Sequence, residues 1–189
     1  MNFLVHSQKE LLFEGRVDYD LNWNDHAVFD SKVIVVMLVH HNGSEINRAI
    51  NSILNQESET TFALLIIDDY GGYLKSHGPV LNDNRIAIAE IKACSVSQAR
   101  NIAHYIVKSR FHGADWICRL DADDEIADPY AIQAITAELE GLDSSVNWAL
   151  AGNTLELDGQ KINRVNLAEP DLLTQKGVLK PDRFNLGAG

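Results

Sequence analysis

Five carboxylates fall within eight residues at Asp121, Asp123, Asp124, Glu125 and Asp128, directly after the apolar run Asp115 to Leu120 (DWICRL). Like charges this close raise one another's pKa and oppose folding unless solvent or a cation relieves them. Helix capping accounts for Asp128 ahead of Pro129, and a helix dipole favours Glu125. Neither accounts for Asp121 and Asp123 at the end of a strand. Two carboxylates two residues apart suit a hard divalent cation, Mn²⁺ or Mg²⁺, which takes oxygen ligands and keeps positions open for phosphate oxygens. A solvated acidic loop before a helix is the alternative. A calcium EF-hand is excluded, because Ile126 stands where that loop needs Gly and Ile132 where it needs Glu.

A second acid pair, Asp68-Asp69, closes another apolar run. An Asp there serves as a turn or cap residue, or accepts a hydrogen bond from a base or sugar hydroxyl as in dinucleotide folds. His40-His41-Asn42 follows the first strong run. Adjacent histidines point in different directions and no third ligand is suitably spaced, so the pair is no ready zinc site. It reads as a polar loop or as packing for a nucleotide base. Arg100 sits in the segment SVSQARN (95–101), in the first turns of a helix whose free N–H groups suit an anion. A surface Arg is the plainer reading. No Gly-x-Ser-x-Gly elbow, Walker loop or Gly-x-Gly-x-x-Gly after a strand is present.

These residues need a scaffold that gathers them. VIVVMLV (33–39) is short, β-branched and wholly apolar, as expected of a strand covered on both faces. Ser44 is a candidate cap, and Ile46, Ala49, Ile50, Ile53 and Leu54 then mark one face of a helix running to about Gln56. FALLII (62–67) is a second buried strand. Strand, helix, strand implies a parallel sheet with a right-handed crossover, whose ligands bind at the carboxyl ends of the strands. Gly71-Gly72 and His77-Gly78-Pro79 mark a loop, and RIAIAEI (85–91) a short strand. A helix begins near Ser97, with Ala99, Ile102, Ala103, Ile106 and Val107 on one face. DWICRL reads as a third core strand, and Asp128-Pro129 opens a helix with Ile132, Ile135, Leu139 and Leu142 inward. WALAG (148–152) and TLEL (154–157) are strand-like. Asp158-Gly159 is a hairpin signal leading into Lys161 to Val165. Residues 1–32 show no sustained period and read as an N-terminal extension pinned by Phe13, Tyr19, Trp23 and Phe29; the domain proper is expected over 33–189.

Composition narrows the partners. The 189 residues carry 16 Lys+Arg against 27 Asp+Glu, a formal charge of −11. That argues against nucleic acid and against an anionic membrane surface, which both draw on clustered basic residues. No apolar run approaches the roughly 20 residues of a membrane span. Two cysteines, Cys94 and Cys118, fit buried thiols in a reducing compartment, hence a cytoplasmic protein or one peripheral to a membrane.

Taken together these residues resemble family-2 glycosyltransferases of the GT-A fold. VIVVMLVHHNGSEINRAINSILNQ resembles the family's opening strand, loop and helix ending in Leu-Asn-Gln. FALLIIDDYGG resembles its second strand with paired Asp, SVSQARNIA its Ala-Arg-Asn helix start, and WICRLDADD the strand ending in an Asp-x-Asp metal motif. The four motifs stand in the family's order over about 33–140. The resemblance implies an α/β fold of GT-A type, a mainly parallel nucleotide-diphospho-sugar-transferase sheet flanked by helices. It also implies a metal-dependent hexosyltransferase of the kind that serves polysaccharide biosynthesis. That enzyme moves a sugar from a nucleotide-diphosphate sugar donor to a glycan or other hydroxyl acceptor, with inversion. By that resemblance Asp121 and Asp123 hold Mn²⁺ or Mg²⁺ against the donor diphosphate. Val39, His41 and Asp69 contact the base, and Arg100 lies near the diphosphate or sugar.

The chain also departs from the pattern. Val39-His40-His41 stands where a Pro-Thr-Tyr-like sequence is usual, and Tyr70-Gly71-Gly72 where a small residue and Ser follow the paired Asp. The family's general base, an Asp or Glu beyond the donor half, has no counterpart here, and the chain reads as short of a full transferase. The alternatives are a module that binds sugar nucleotide or a partner without turnover and, less favoured, a nucleotidyltransferase, which would need a Gly-rich basic loop where His40 to Ser44 has one Gly and no Lys or Arg.

Overall fold

The apolar runs become the centre of one sheet. β1 (His6–Leu12) and β2 (Val17–Trp23) are followed by a 3₁₀ turn (His26–Asp30), β3 (Val33–Val39) and α1 (Glu45–Leu54). β4 (Phe62–Asp69), α2 (Tyr73–Ser76), β5 (Ile86–Ile91) and α3 (Val96–Arg110) come next, then β6 (Trp116–Arg119) and α4 (Ala131–Glu140). The sheet runs β1-β2-β5-β4-β3-β6. β5, β4, β3 and β6 are parallel, while β1 and β2 join antiparallel. The structure is a computed structural model that describes residues 6–12, 17–40, 45–76, 82–93, 95–141, 153–157 and 160–164.

Helices cover both faces of the parallel strands, giving a mixed α/β fold of Rossmann-like kind. Alternate residues of β3 and β4 divide between the two cores. Ile34, Val36, Leu65 and Ile67 pack with Ala99, Ile102, Ala103 and Ile106 of α3. Val35, Met37, Leu64 and Ile66 pack with Ile46, Ala49, Ile50 and Ile53 of α1 and with Ile132 of α4. Burying a side chain of this size contributes roughly 1.5–3 kcal/mol, so the β3–α1–β4 unit is the densest source of stability.

Three sequence expectations change. Residues 1–32 are no loose extension, because β1 and β2 extend the sheet beyond β5. VDYDLNW alternates strictly, and Tyr19, Leu21 and Trp23 are buried with the α3 core while Asp20 is exposed. Phe29 is buried there too, and Arg110 of α3 lies over the Trp23 and Phe29 rings at 5.8 and 5.4 Å. Phe13 lies outside the described residues. Next, β6 is an edge strand paired only to β3 among the described residues, not a core strand; Ile117 is 39% exposed and Cys118 half-buried. Lastly, the segment after Gly72 read as loop starts with α2. Elsewhere the expected helices and strands stand within a residue or two of their predicted ends. Asp128 caps α4's approach, its Oδ1 accepting from Tyr130 N–H at 2.9 Å.

The chain divides into two compact units, Met1–Glu140 and Gly141–Gly189. In the second, β7 (Asn153–Leu157) and β8 (Gln160–Arg164) pair antiparallel, while Asp158-Gly159 lies outside the described residues. Ser44, Cys94, Leu142, WALAG and His77 to Pro79 fall outside the described residues.

Candidate functional site

The strand order fixes where a ligand can sit. From β3 the chain moves outward through β4 to β5, then returns to place β6 on β3's other side. Such a reversal, here between β3 and β6, is where ligands usually bind in open α/β sheets, outside the carboxyl ends of the strands. The two acid pairs leave the sheet at this edge. β4 ends in Asp68-Asp69, with Asp68 level with Val39. β6 ends beside β3, Leu120 N–H donating to the Val36 carbonyl at 3.1 Å, and the acid loop starts at the next residue.

The loop has a pinned half and an open half. Ala122 is buried in the α1-side core and anchors the open half, where Asp124 N–H donates to the Asp121 carbonyl at 3.0 Å. Asp121, Asp123 and Asp124 are exposed around that anchor. Partial burial, then the charges of Asp123 and Asp121, push the Asp124 carboxyl above its ordinary value. Residues 125–129 run back along α1. Arg48 Nε lies 3.3 Å from Glu125 Oε1, an exposed pair of small energetic weight. Ser52 Oγ accepts from Ile126 N–H at 3.0 Å. Buried Gln56 donates to the Asp128 and Ser52 carbonyls at 2.8 and 3.2 Å and accepts from Ile132 N–H at 3.0 Å. A polar groove of about 400 Å³ follows this seam, from Arg48 to Pro129.

A divalent cation fits this donor set only as a site completed from outside. Among the described residues no group of three His, Cys, Asp or Glu is arranged to hold a metal. Asp121 and Asp123 offer two exposed carboxylates, and Mg²⁺ is commonly held by one or two carboxylates with substrate phosphates and water filling the rest. No hydrogen bond or ion pair engages the Asp121, Asp123 or Asp124 side chains among the described residues.

The paired aspartates have separate tasks. Asp68 is 1% exposed, and its carboxylate oxygens accept from Tyr73 N–H at 3.1 and 3.2 Å and from Leu74 N–H at 3.2 Å, capping α2. Burial, helped by the Asp68 charge, pushes the Tyr73 hydroxyl well above its ordinary value, so it stays protonated. Asp69 points to the other face. Its Oδ1 accepts from Ala93 N–H at 2.8 Å, and its Oδ2 lies 3.4 Å from His40 Nδ1. His40 in turn meets Tyr70, ring centroids 5.6 Å apart at 71°. Tyr70 and Gly71 both adopt left-handed backbone, φ 75° and 66°.

The sequence candidates are thus distributed as follows. Asp69, Asp121 and Asp123 share one sheet edge. The Val39 side chain is buried in the α1-side core, leaving its backbone at the strand end. His41 lies outside the described residues, and it is His40 that meets Asp69. Arg100 is half-buried in the second turn of α3, a helix capped by Ser95 Oγ accepting from Gln98 N–H at 3.1 Å. No side-chain partner of Arg100 is found among the described residues, so it is near the edge without being joined to Asp69. Burial pushes the Cys118 thiol above its ordinary value. Three residues escaped sequence reasoning. Ser52 lies on α1 and the buried Gln56 two residues past its end, where an amide after an apolar helix was the available signal; Tyr70 stood next to the Asp pair without a motif to mark it. No family model matches this sequence, and no curated protein matches it.

Proposed function

We propose that the chain carries the donor-binding part of a metal-dependent glycosyltransferase of GT-A type. Its substrates would be a nucleoside-diphosphate sugar and an acceptor hydroxyl, with transfer by inversion. One observation carries the reading. Two strand-end acid groups, Asp69 and Asp121–Asp124, lie on the same carboxyl edge, flanking the point where strand order reverses. Asp121 and Asp123 would hold Mn²⁺ or Mg²⁺. When bound, that cation offsets the charge gathering on the leaving diphosphate. Asp69 would accept a hydrogen bond from the base through Oδ2, the oxygen that also faces His40 Nδ1, while Oδ1 is tied to Ala93 N–H. Arg100 and the amino end of α3 would add positive potential for the diphosphate. The four motifs of the resemblance support the same roles. No general base is assigned.

A thermal-shift titration tests this. UDP, GDP, ADP and CDP, each with Mn²⁺, are screened. A nucleotide present at 100 times its Kd should raise stability by about 2.7 kcal/mol. Asp123→Ala should lose the Mn²⁺-dependent shift and keep the unliganded Tm, because its side chain is exposed. If no nucleotide shifts the wild type, the donor site is wrong. Binding without hydrolysis or transfer of any nucleotide sugar would leave a binding module.

A further inference from the structure

We infer that Tyr70, with His40 beneath it, is the residue that stacks on the donor's nucleobase and sets how well different bases are held. This rests on the donor reading above.

The evidence begins with backbone conformation. Tyr70 is the one non-glycine residue with positive φ among the described residues, at 75°. Left-handed backbone is strained for a residue that carries a side chain, because its Cβ crowds the following carbonyl oxygen, whereas glycine adopts it freely. Two successive left-handed residues are a pattern that Asn-Gly or Gly-Gly fills at least cost. Here the second position is Gly71, and the first is a bulky aromatic. Such outliers cluster where binding uses them.

Exposure supplies the second observation. Tyr70 keeps 53% of its surface open, although Tyr19 of β2 and Tyr73 at the start of α2 are nearly fully buried. Its backbone is fixed nonetheless, Tyr70 N–H donating to the Ile91 carbonyl at 2.8 Å. The ring is therefore held at a set height above the sheet edge while remaining accessible.

Ring geometry supplies the third. His40 and Tyr70 meet edge to face, and His40 Nδ1 is 3.4 Å from Asp69 Oδ2. One acid thus orients one ring, and that ring braces the other. An aromatic face beside a hydrogen-bond acceptor is what a planar heterocycle with N–H groups requires: stacking for the π-face, a carboxylate for the edge. A tyrosine that merely covered His40 would need neither the strained backbone nor the exposed face.

Calorimetry on the full chain in Mg²⁺ tests the assignment with UDP, CDP, ADP, GDP and pyrophosphate as probes. Tyr70→Ala should weaken the nucleotides that the wild type binds by roughly fivefold to a hundredfold, the range for one stacked base. Its pyrophosphate affinity should not change. Tyr70→Phe should keep nucleotide affinity. Tyr70→Gly should lose it as Ala does while raising Tm, since it relieves the backbone. Unchanged nucleotide affinity in Tyr70→Ala overturns the stacking role. An equal loss for pyrophosphate shows a site that has merely collapsed and overturns it too. A wild type that binds pyrophosphate but no nucleotide overturns base stacking while sparing the metal and phosphate part; one that binds none of the probes overturns the donor reading and this one together.

Discussion

Two charged sites at opposite edges of the parallel sheet, the Arg85–Asp83 pair and the acid loop after β6, treat charge in opposite ways. At the amino edge the Arg85–Asp83 pair and several backbone groups have protein partners. Arg85 donates from Nε to Asp83 Oδ1 at 3.0 Å and from Nη2 to Oδ2 at 2.8 Å, reaches the Leu54 carbonyl at 2.9 Å, and lies over Phe62 at 5.1 Å. Lys32 and Val33 N–H donate to the Thr61 carbonyl, and Asp115 and Trp116 N–H to the Lys32 carbonyl. At the carboxyl edge the Asp121, Asp123 and Asp124 carboxylates stand exposed and repel one another, and Tyr70 is strained and open. Charge that is matched within the chain stabilises it, whereas unmatched like charges cost stability unless solvent or a cation relieves them.

The largest test strikes the seam between α1 and residues 125–129. Gln56→Ala removes three hydrogen bonds from a buried amide and strands the Asp128 carbonyl and Ile132 N–H. A loss of about 2–3 kcal/mol is expected by chemical denaturation. Nucleotide affinity should stay near wild type, because Ala122 anchors the open half of the loop independently. A parallel loss of affinity would show that the edges do not act separately.

Arg85→Met comes second, at about 1–2 kcal/mol, with the stem's packing on Phe62 partly retained. Arg85's hydrogen bonds hold the Asp83 carboxyl below its ordinary value. A depressed carboxylate contributes stability above its unfolded pKa and loses it as pH falls through the folded one. The gap between wild type and variant should therefore be full near neutrality and close below about pH 4. A gap that persists in acid would assign Arg85's effect to packing alone.

The smallest effect belongs to Asp124→Asn. A raised carboxyl favours the folded state below its unfolded pKa, and that advantage fades as pH rises through the folded value. At pH 7 the charge is a burden, so the amide should stabilise the metal-free chain, within about 0.5 kcal/mol for an exposed site. Saturating Mg²⁺ should shrink that difference. A destabilised variant would mean the loop's charges are already satisfied.

Much of this was legible in the sequence because periodicity records burial. VIVVMLV and FALLII could only be strands covered on both sides, and the faces of α1, α3 and α4 follow from their spacing. The acid loop was legible because Asp121 and Asp123 have no local use. What escaped was tertiary. DWICRL is apolar enough for a core strand, and only the strand order makes it an edge. VDYDLNW alternates cleanly, but its acids and the uneven residues around it masked the signal. Asp68 and Asp69 are equivalent in sequence, and the pleat alone sends one to cap α2 and the other to His40. Tyr70's left-handed backbone is a tertiary feature, its N–H donating to the Ile91 carbonyl at the end of β5.

The β2–β5 pairing has a consequence for the order of assembly. Leu21 lies opposite Ala89, so an early hairpin must wait for a strand some 68 residues later before its buried side chains find cover. The β3–α1–β4 unit closes over far shorter distances and is the natural nucleus, since local closure loses less chain entropy. Substitutions at Ile50 or Ile66 should then slow folding, whereas those at Leu21 should mainly hasten unfolding.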